Sequence, residues 1–198
     1  MLNDITQNNQ PLIENEKRKG FCVAAIQMAS GPSVSANLEE AARLIEEAAA
    51  QKAKLVVLPE YFCIMGMKDT DKLAVREQPG NGPIQKFLSD TAKRLGIWLV
   101  GGSVPLASSE SDKVYNSCLV YANTGEQVAR YDKIHLFGLR LGHEHYAEER
   151  TIKAGNSVVT VDSPFGRIGL SICYDLRFPE LFRMMNKVDI ILAPAAFT

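Results

Sequence analysis

A strand–helix–strand succession near the start of the chain limits its folds most sharply. Residues 21–27 and 54–60 read as buried apolar strands, the second ended by Pro59. Between them, residues 35–51 place Leu38, Ala41, Ile45 and Ala48 at helical spacing, with charges elsewhere and Ser35 as the expected N-cap. A second amphipathic helix over 84–95 stops at Gly96, and a third strand is expected over 97–104. Hairpin signals then replace helices. Residues 123–125 (NTG) separate strands over 115–122 and 126–136, and 163–165 (SPF) separate 157–162 from 166–172. Residues 138–156 read as irregular, 179–186 as a short helix, and 188–193 as a final strand. Early βα alternation followed by hairpins predicts an α/β layered domain with a mixed sheet.

Composition narrows the partners. The 198 residues carry 22 Lys+Arg against 23 Asp+Glu, a net charge of −1. Such a balance offers no field for nonspecific capture of nucleic acid or an anionic membrane. The longest apolar run, 188–197, contains Asp189 and falls far short of the roughly 20 residues of a spanning helix. Residues 1–20 are polar with mixed charge and are expected to form a flexible tail ahead of one domain, 21–198. The four cysteines are widely spaced without a CxxC pair, which predicts free thiols in a reducing cytoplasm. Cys22, Cys63 and Cys118 are expected in the core, as are Met65, Met67, Met184 and Met185. The chain stops directly after its last apolar strand, so a partner or a further stretch of chain is expected to cover that edge.

Three residues stand where chemistry is placed in such folds. Cys173 ends a strand and is followed by a turn and a helix, the device that exposes a nucleophile and aims backbone N–H groups at an oxyanion. It also admits the reading of a small buried hydrophobe. Glu60 lies just past the C-terminal end of a buried strand, where α/β sheets bind ligands and a desolvated carboxylate suits a general base. A solvated loop acid or a helix cap is the alternative. Lys133 sits in a largely apolar strand with Tyr131 and His135 on its face, a costly position unless paired, with an edge-strand gatekeeper as the alternative. His143 and His145 lack the ligand set and spacing of a zinc site.

Residues 58–62 (LPEYF), 131–137 (YDKIHLF) and 171–181 (SICYDLRFPEL) resemble, in order, the three signatures of the carbon–nitrogen hydrolase (nitrilase) superfamily, Nit-type amidase branch. The resemblance covers the chain from Phe21 onward. It implies a four-layer αββα sandwich, here truncated at the C-terminus, and a homodimer. It implies Glu60 as general base, Lys133 as oxyanion stabiliser and Cys173 as nucleophile, with no metal or organic cofactor. The family's assisting second glutamate matches Glu148 better than Glu149, the Tyr174 N–H falls in the oxyanion hole, and Arg177 is a candidate for a substrate carboxylate or for pairing with Asp175 or Glu180. The implied reaction is cleavage of a small amide, one with a distal carboxylate, through a Cys thioester. A noncatalytic binding module of the same fold and a thiol redox protein using Cys173 remain open alternatives.

Overall fold

A computed structural model of the protein describes residues 20–141 and 144–197. The expected tail over 1–19 and His143 lie outside them.

The first sheet has six strands: β1 (Cys22–Ala25), β2 (Ala53–Val57), β3 (Trp98–Val100), β4 (Val104–Ala107), β5 (Val114–Tyr121) and β6 (Gln127–Asp132). Strands β1, β2 and β3 run parallel, and β5 pairs antiparallel with β3 and β4 on one edge and β6 on the other. Helices α1 (Val34–Ala50) and α3 (Pro83–Leu95), with the one-turn α2 (Asp71–Ala74) between them in the chain, follow β1 and β2; α1 and α3 cover one face, burying Ala41 and Ile45, and Ile84 and Leu88, against Val56, Leu99 and Leu119. The opposite face presents Leu55, Val100, Cys118 and Val120 to a second sheet. That sheet comprises β9 (Thr160–Ser163), β10 (Gly166–Leu170) and β11 (Ile190–Leu192), with β10 antiparallel to β9 and parallel to β11.

Period-2 alternation explains the layering. Ile168, Leu170 and Ile172 point inward to the intersheet core. Gly169 points outward, where a Cβ would lie 2.6 Å from the Met185 sulfur at the end of helix α4 (Pro179–Met184). Layers therefore run helix, sheet, sheet, helix, as in the αββα sandwich.

Several local expectations need correction. Ser33, not Ser35, caps α1: its backbone is extended and its hydroxyl accepts from the Ala36 N–H at 3.4 Å. The strand expected over 97–104 is two strands, β3 and β4, whose pairing with β5 slips by one residue across 101–103. Residues 138–147, read as irregular, contain the hairpin β7 (Gly138–Leu141) and β8 (Glu144–Ala147), and a 3₁₀ turn at Glu148–Arg150 follows. Its alternation was masked by the run of Gly, His and Glu. Cys22 is exposed because β1 is an edge strand open on its outer faces. Met65, Met67 and Met184 are exposed too, and only Met185 packs in the core. No helix among the described residues is long and apolar enough to cross a membrane.

The slip between β3 and β4 has a steric purpose. Gly102, at φ 48°, runs so close to the end of β2 that a Cβ there would lie 1.9 Å from the Pro59 carbonyl oxygen. Neither backbone can yield without moving Glu60. Gly102→Ala is expected to destabilise the fold by about 2–4 kcal/mol in urea denaturation, and wild-type stability in that variant would contradict this account.

Candidate active site

Four strand ends converge on one point. Glu60 follows β2, in a turn where Tyr61 takes φ 55° and its N–H donates to the Ser103 hydroxyl at 2.9 Å. The slipped segment 101–103 thus props the Glu60 turn from below. Lys133 follows β6: its N–H makes one last ladder bond to the Asn116 carbonyl, and its own carbonyl then accepts from Gly155. Glu148 follows β8, held by reciprocal bonds in which its N–H donates to the Phe137 carbonyl and its Oε2 accepts from the Phe137 N–H at 2.7 Å. Cys173 opens a 3₁₀ turn, Cys173–Arg177, beyond β10.

The first three form a buried charge cluster. The Lys133 ammonium lies 3.0 Å from Glu60 Oε1 and 2.9 Å from Glu148 Oε2, and none of the three side chains is more than 4% exposed. Burial alone would push the lysine down, but the two carboxylates outweigh it and hold Lys133 above its ordinary value. Glu60 Oε1 also accepts from Asn116 Nδ2 at 2.9 Å, and Oε2 from the Ala196 N–H at 3.0 Å. The Tyr61 hydroxyl donates to Glu148 Oε1 at 3.3 Å. Burial first, then the charges of Glu148 and Glu60, keeps that phenol protonated well above its usual range. Glu149, the neighbour weighed against Glu148, is exposed.

Cys173 adjoins this cluster, half-buried at φ 47°, a left-handed conformation costly for a residue with a Cβ. Its N–H donates to the Pro194 carbonyl at 2.9 Å. Burial, then the Glu60 charge and a hydrogen bond to Glu60, pushes its thiol up to about 11, against the pull of Lys133. The resting group is therefore a thiol facing a carboxylate, suited to proton transfer in step with attack. By contrast, Cys63 and Cys118 are buried without a charged partner to ionise them, and burial raises both thiols.

The Tyr174 N–H, next in the turn, has no acceptor among the described residues, and its ring packs edge-on against Phe137 and Phe178. Beside it a cavity of about 410 Å³ is lined by Cys173, Phe137, Leu176, Arg177 and Ala196. Arg177 does not pair with Asp175, which is fully buried and engaged elsewhere, or with Glu180, which faces Arg183 at 3.6 Å. Arg177 is exposed and lines the mouth of the cavity.

Sequence reasoning missed Asn116, Ser103 and the part played by Asp175. Asn116 and Ser103 carry no motif, because each works through a strand that meets the site only in three dimensions.

The sequence pattern of the carbon-nitrogen hydrolases matches residues 22–196. The chain is 39% identical over 186 residues to a deaminated glutathione amidase of Synechocystis sp., covering 91% of this chain and 68% of that protein. It is 39% identical over 181 residues to omega-amidase NIT2 of Homo sapiens, covering 89% and 64% respectively. The crystal structure of Saccharomyces cerevisiae Nit3, a member of branch 10 of the nitrilase superfamily, superposes with a TM-score of 0.76 at 32% identity, over 90% of this chain and 65% of that one. The chain spans about two thirds of the length of these relatives.

Proposed function

Because the chain belongs to the carbon–nitrogen hydrolase family, we propose that it hydrolyses the C–N bond of a small amide through a thioester on Cys173. The observation that carries this reading is the buried Glu60–Lys133–Glu148 cluster placed against a thiol in a left-handed turn.

Glu60 takes the thiol proton through Oε2 as Sγ attacks the amide carbon. The oxygen that gains charge is held by the Lys133 ammonium and the Tyr174 N–H. The C–N bond then breaks, and the departing nitrogen takes the proton from Glu60, leaving the acyl group on sulfur. Water attacks the thioester while Glu60 accepts one of its protons. The acid departs and the proton returns to Sγ. Glu148 keeps the ammonium fixed between the two carboxylates throughout, so that no side chain has to reorganise as charge develops.

Arg177 in an otherwise largely apolar cavity supports an amide with a distal carboxylate as substrate, a reading in keeping with the amidases among the relatives. The test is ammonia release from a panel of short amides with and without that carboxylate. Cys173→Ser is expected to lower the rate by about 10⁴-fold or more while leaving the fold intact. Trapping the wild type with substrate should add one acyl group at Cys173 by mass spectrometry. No ammonia release from any amide, together with no adduct, would overturn the reading.

A further inference from the structure

We propose that Asp175 is a positioning residue whose carboxylate ties the turn bearing Cys173 to the residues two before and two after Lys133, and so fixes the thiol against the ammonium; this rests on the thioester reading above. Asp175 is completely buried. Its Oδ2 accepts from the Tyr131 hydroxyl at 2.7 Å and from the Ile172 N–H, immediately before the thiol, at 2.9 Å. Its Oδ1 accepts from the His135 N–H at 3.0 Å and lies 2.7 Å from His135 Nδ1. The His135 ring in turn stacks flat on Phe178, with centroids 3.7 Å apart, at the far end of the same turn.

The two halves of this clamp come from different sheets. Tyr131 and His135 bracket Lys133 at the end of β6 in the first sheet, while Ile172 and Asp175 belong to the turn beyond β10 in the second. Packing between the sheets is apolar and non-directional. It has no means of setting the offset between thiol and ammonium to a fraction of an ångström. Four hydrogen bonds converging on one carboxylate do. The Tyr131 phenol is held well above its ordinary value, by burial first and then by Asp175, so it stays a donor.

The donor set also demands a carboxylate. Each oxygen receives one backbone N–H that cannot reverse its polarity. An asparagine amide would set its NH₂ against one of them in either orientation. Asp175→Asn therefore opens the clamp without changing side-chain size. Tyr131→Phe removes a single donor and is the milder variant should Asp175→Asn fold poorly.

The experiment alkylates wild type and both variants with chloroacetamide at fixed pH and measures the ratio of Cys173 to Cys22 modification by peptide mass spectrometry. Cys22, exposed on β1, serves as the reference thiol in the same tube. The ratio is expected to fall about tenfold in Asp175→Asn and about threefold in Tyr131→Phe, with kcat falling in parallel and KM unchanged. A ratio and kcat equal to wild type in folded Tyr131→Phe and Asp175→Asn, whatever the thermal midpoint, would overturn the proposal. Should wild type release no ammonia while the ratio still falls, the clamp stands and the amidase reading fails. An unchanged ratio in an active amidase means the reverse.

Discussion

Replacing Lys133 with methionine is expected to abolish amide hydrolysis and to cost about 3–5 kcal/mol of stability at neutral pH, the usual penalty for breaking a buried ion pair from one side. Here the penalty falls on two carboxylates at once, since Glu60 and Glu148 both rest on the same ammonium. Without it they face each other inside the protein, and the folded variant relieves the repulsion by keeping a proton that the unfolded chain releases above the ordinary carboxylate range near pH 4.3. A proton bound by the folded state and not by the unfolded one makes stability fall as pH rises. The deficit of the variant should therefore widen from pH 5 to pH 8 and narrow again in acid. Wild type behaves otherwise. Lys133 is held above its ordinary 10.5, so its contribution is complete below that value and is lost only in strong alkali. Urea denaturation of both proteins at pH 5 and pH 8 checks the sign, and a variant as stable as wild type at pH 8 rules the argument out.

The second large effect is expected from Glu60→Gln. The carboxylate receives Asn116 Nδ2 and Lys133 Nζ on one oxygen and the Ala196 N–H on the other. A glutamine must turn its NH₂ toward a donor whichever way it lies. Hydrolysis should drop by about 10³-fold for the loss of the base, with about 1–3 kcal/mol of stability lost for the mismatch. The thiol responds in the opposite sense. The Glu60 charge is one of the causes that push Cys173 up to about 11, so removing it should bring the midpoint of Cys173 alkylation below that of wild type. A pH titration of alkylation reads this directly. A protein that used Cys173 only for thiol exchange would keep its activity in this variant, and that result would remove Glu60 from the chemistry.

How much of this was legible in the chain depends on the range of the cause. Helices α1 and α3 announce themselves because burial on one face imposes a local period, and Gly96 stops α3 in the left-handed conformation expected of it. Glu60, Lys133 and Cys173 are legible because each follows a strand closely enough for its motif to be continuous. Asn116 and Ser103 are not, since nothing adjacent to them signals a partner 56 or 42 residues away. The break in the strand over 97–104 was invisible for a similar reason: what imposes it is the Pro59 carbonyl lying against Gly102, a neighbour distant in sequence. Cys22 shows the opposite limit, since an apolar run does not tell a central strand from an edge.

One consequence follows from the sandwich itself. Base and ammonium ride on one sheet and the thiol on the other, so the reaction distance is also a gap between two slabs, filled by Leu55, Val100, Val120, Ile168 and Leu170. A methylene removed from that filling, well away from any reacting atom, changes the spacing of the slabs, and the Asp175 hydrogen bonds are what then hold thiol and ammonium in register across the gap.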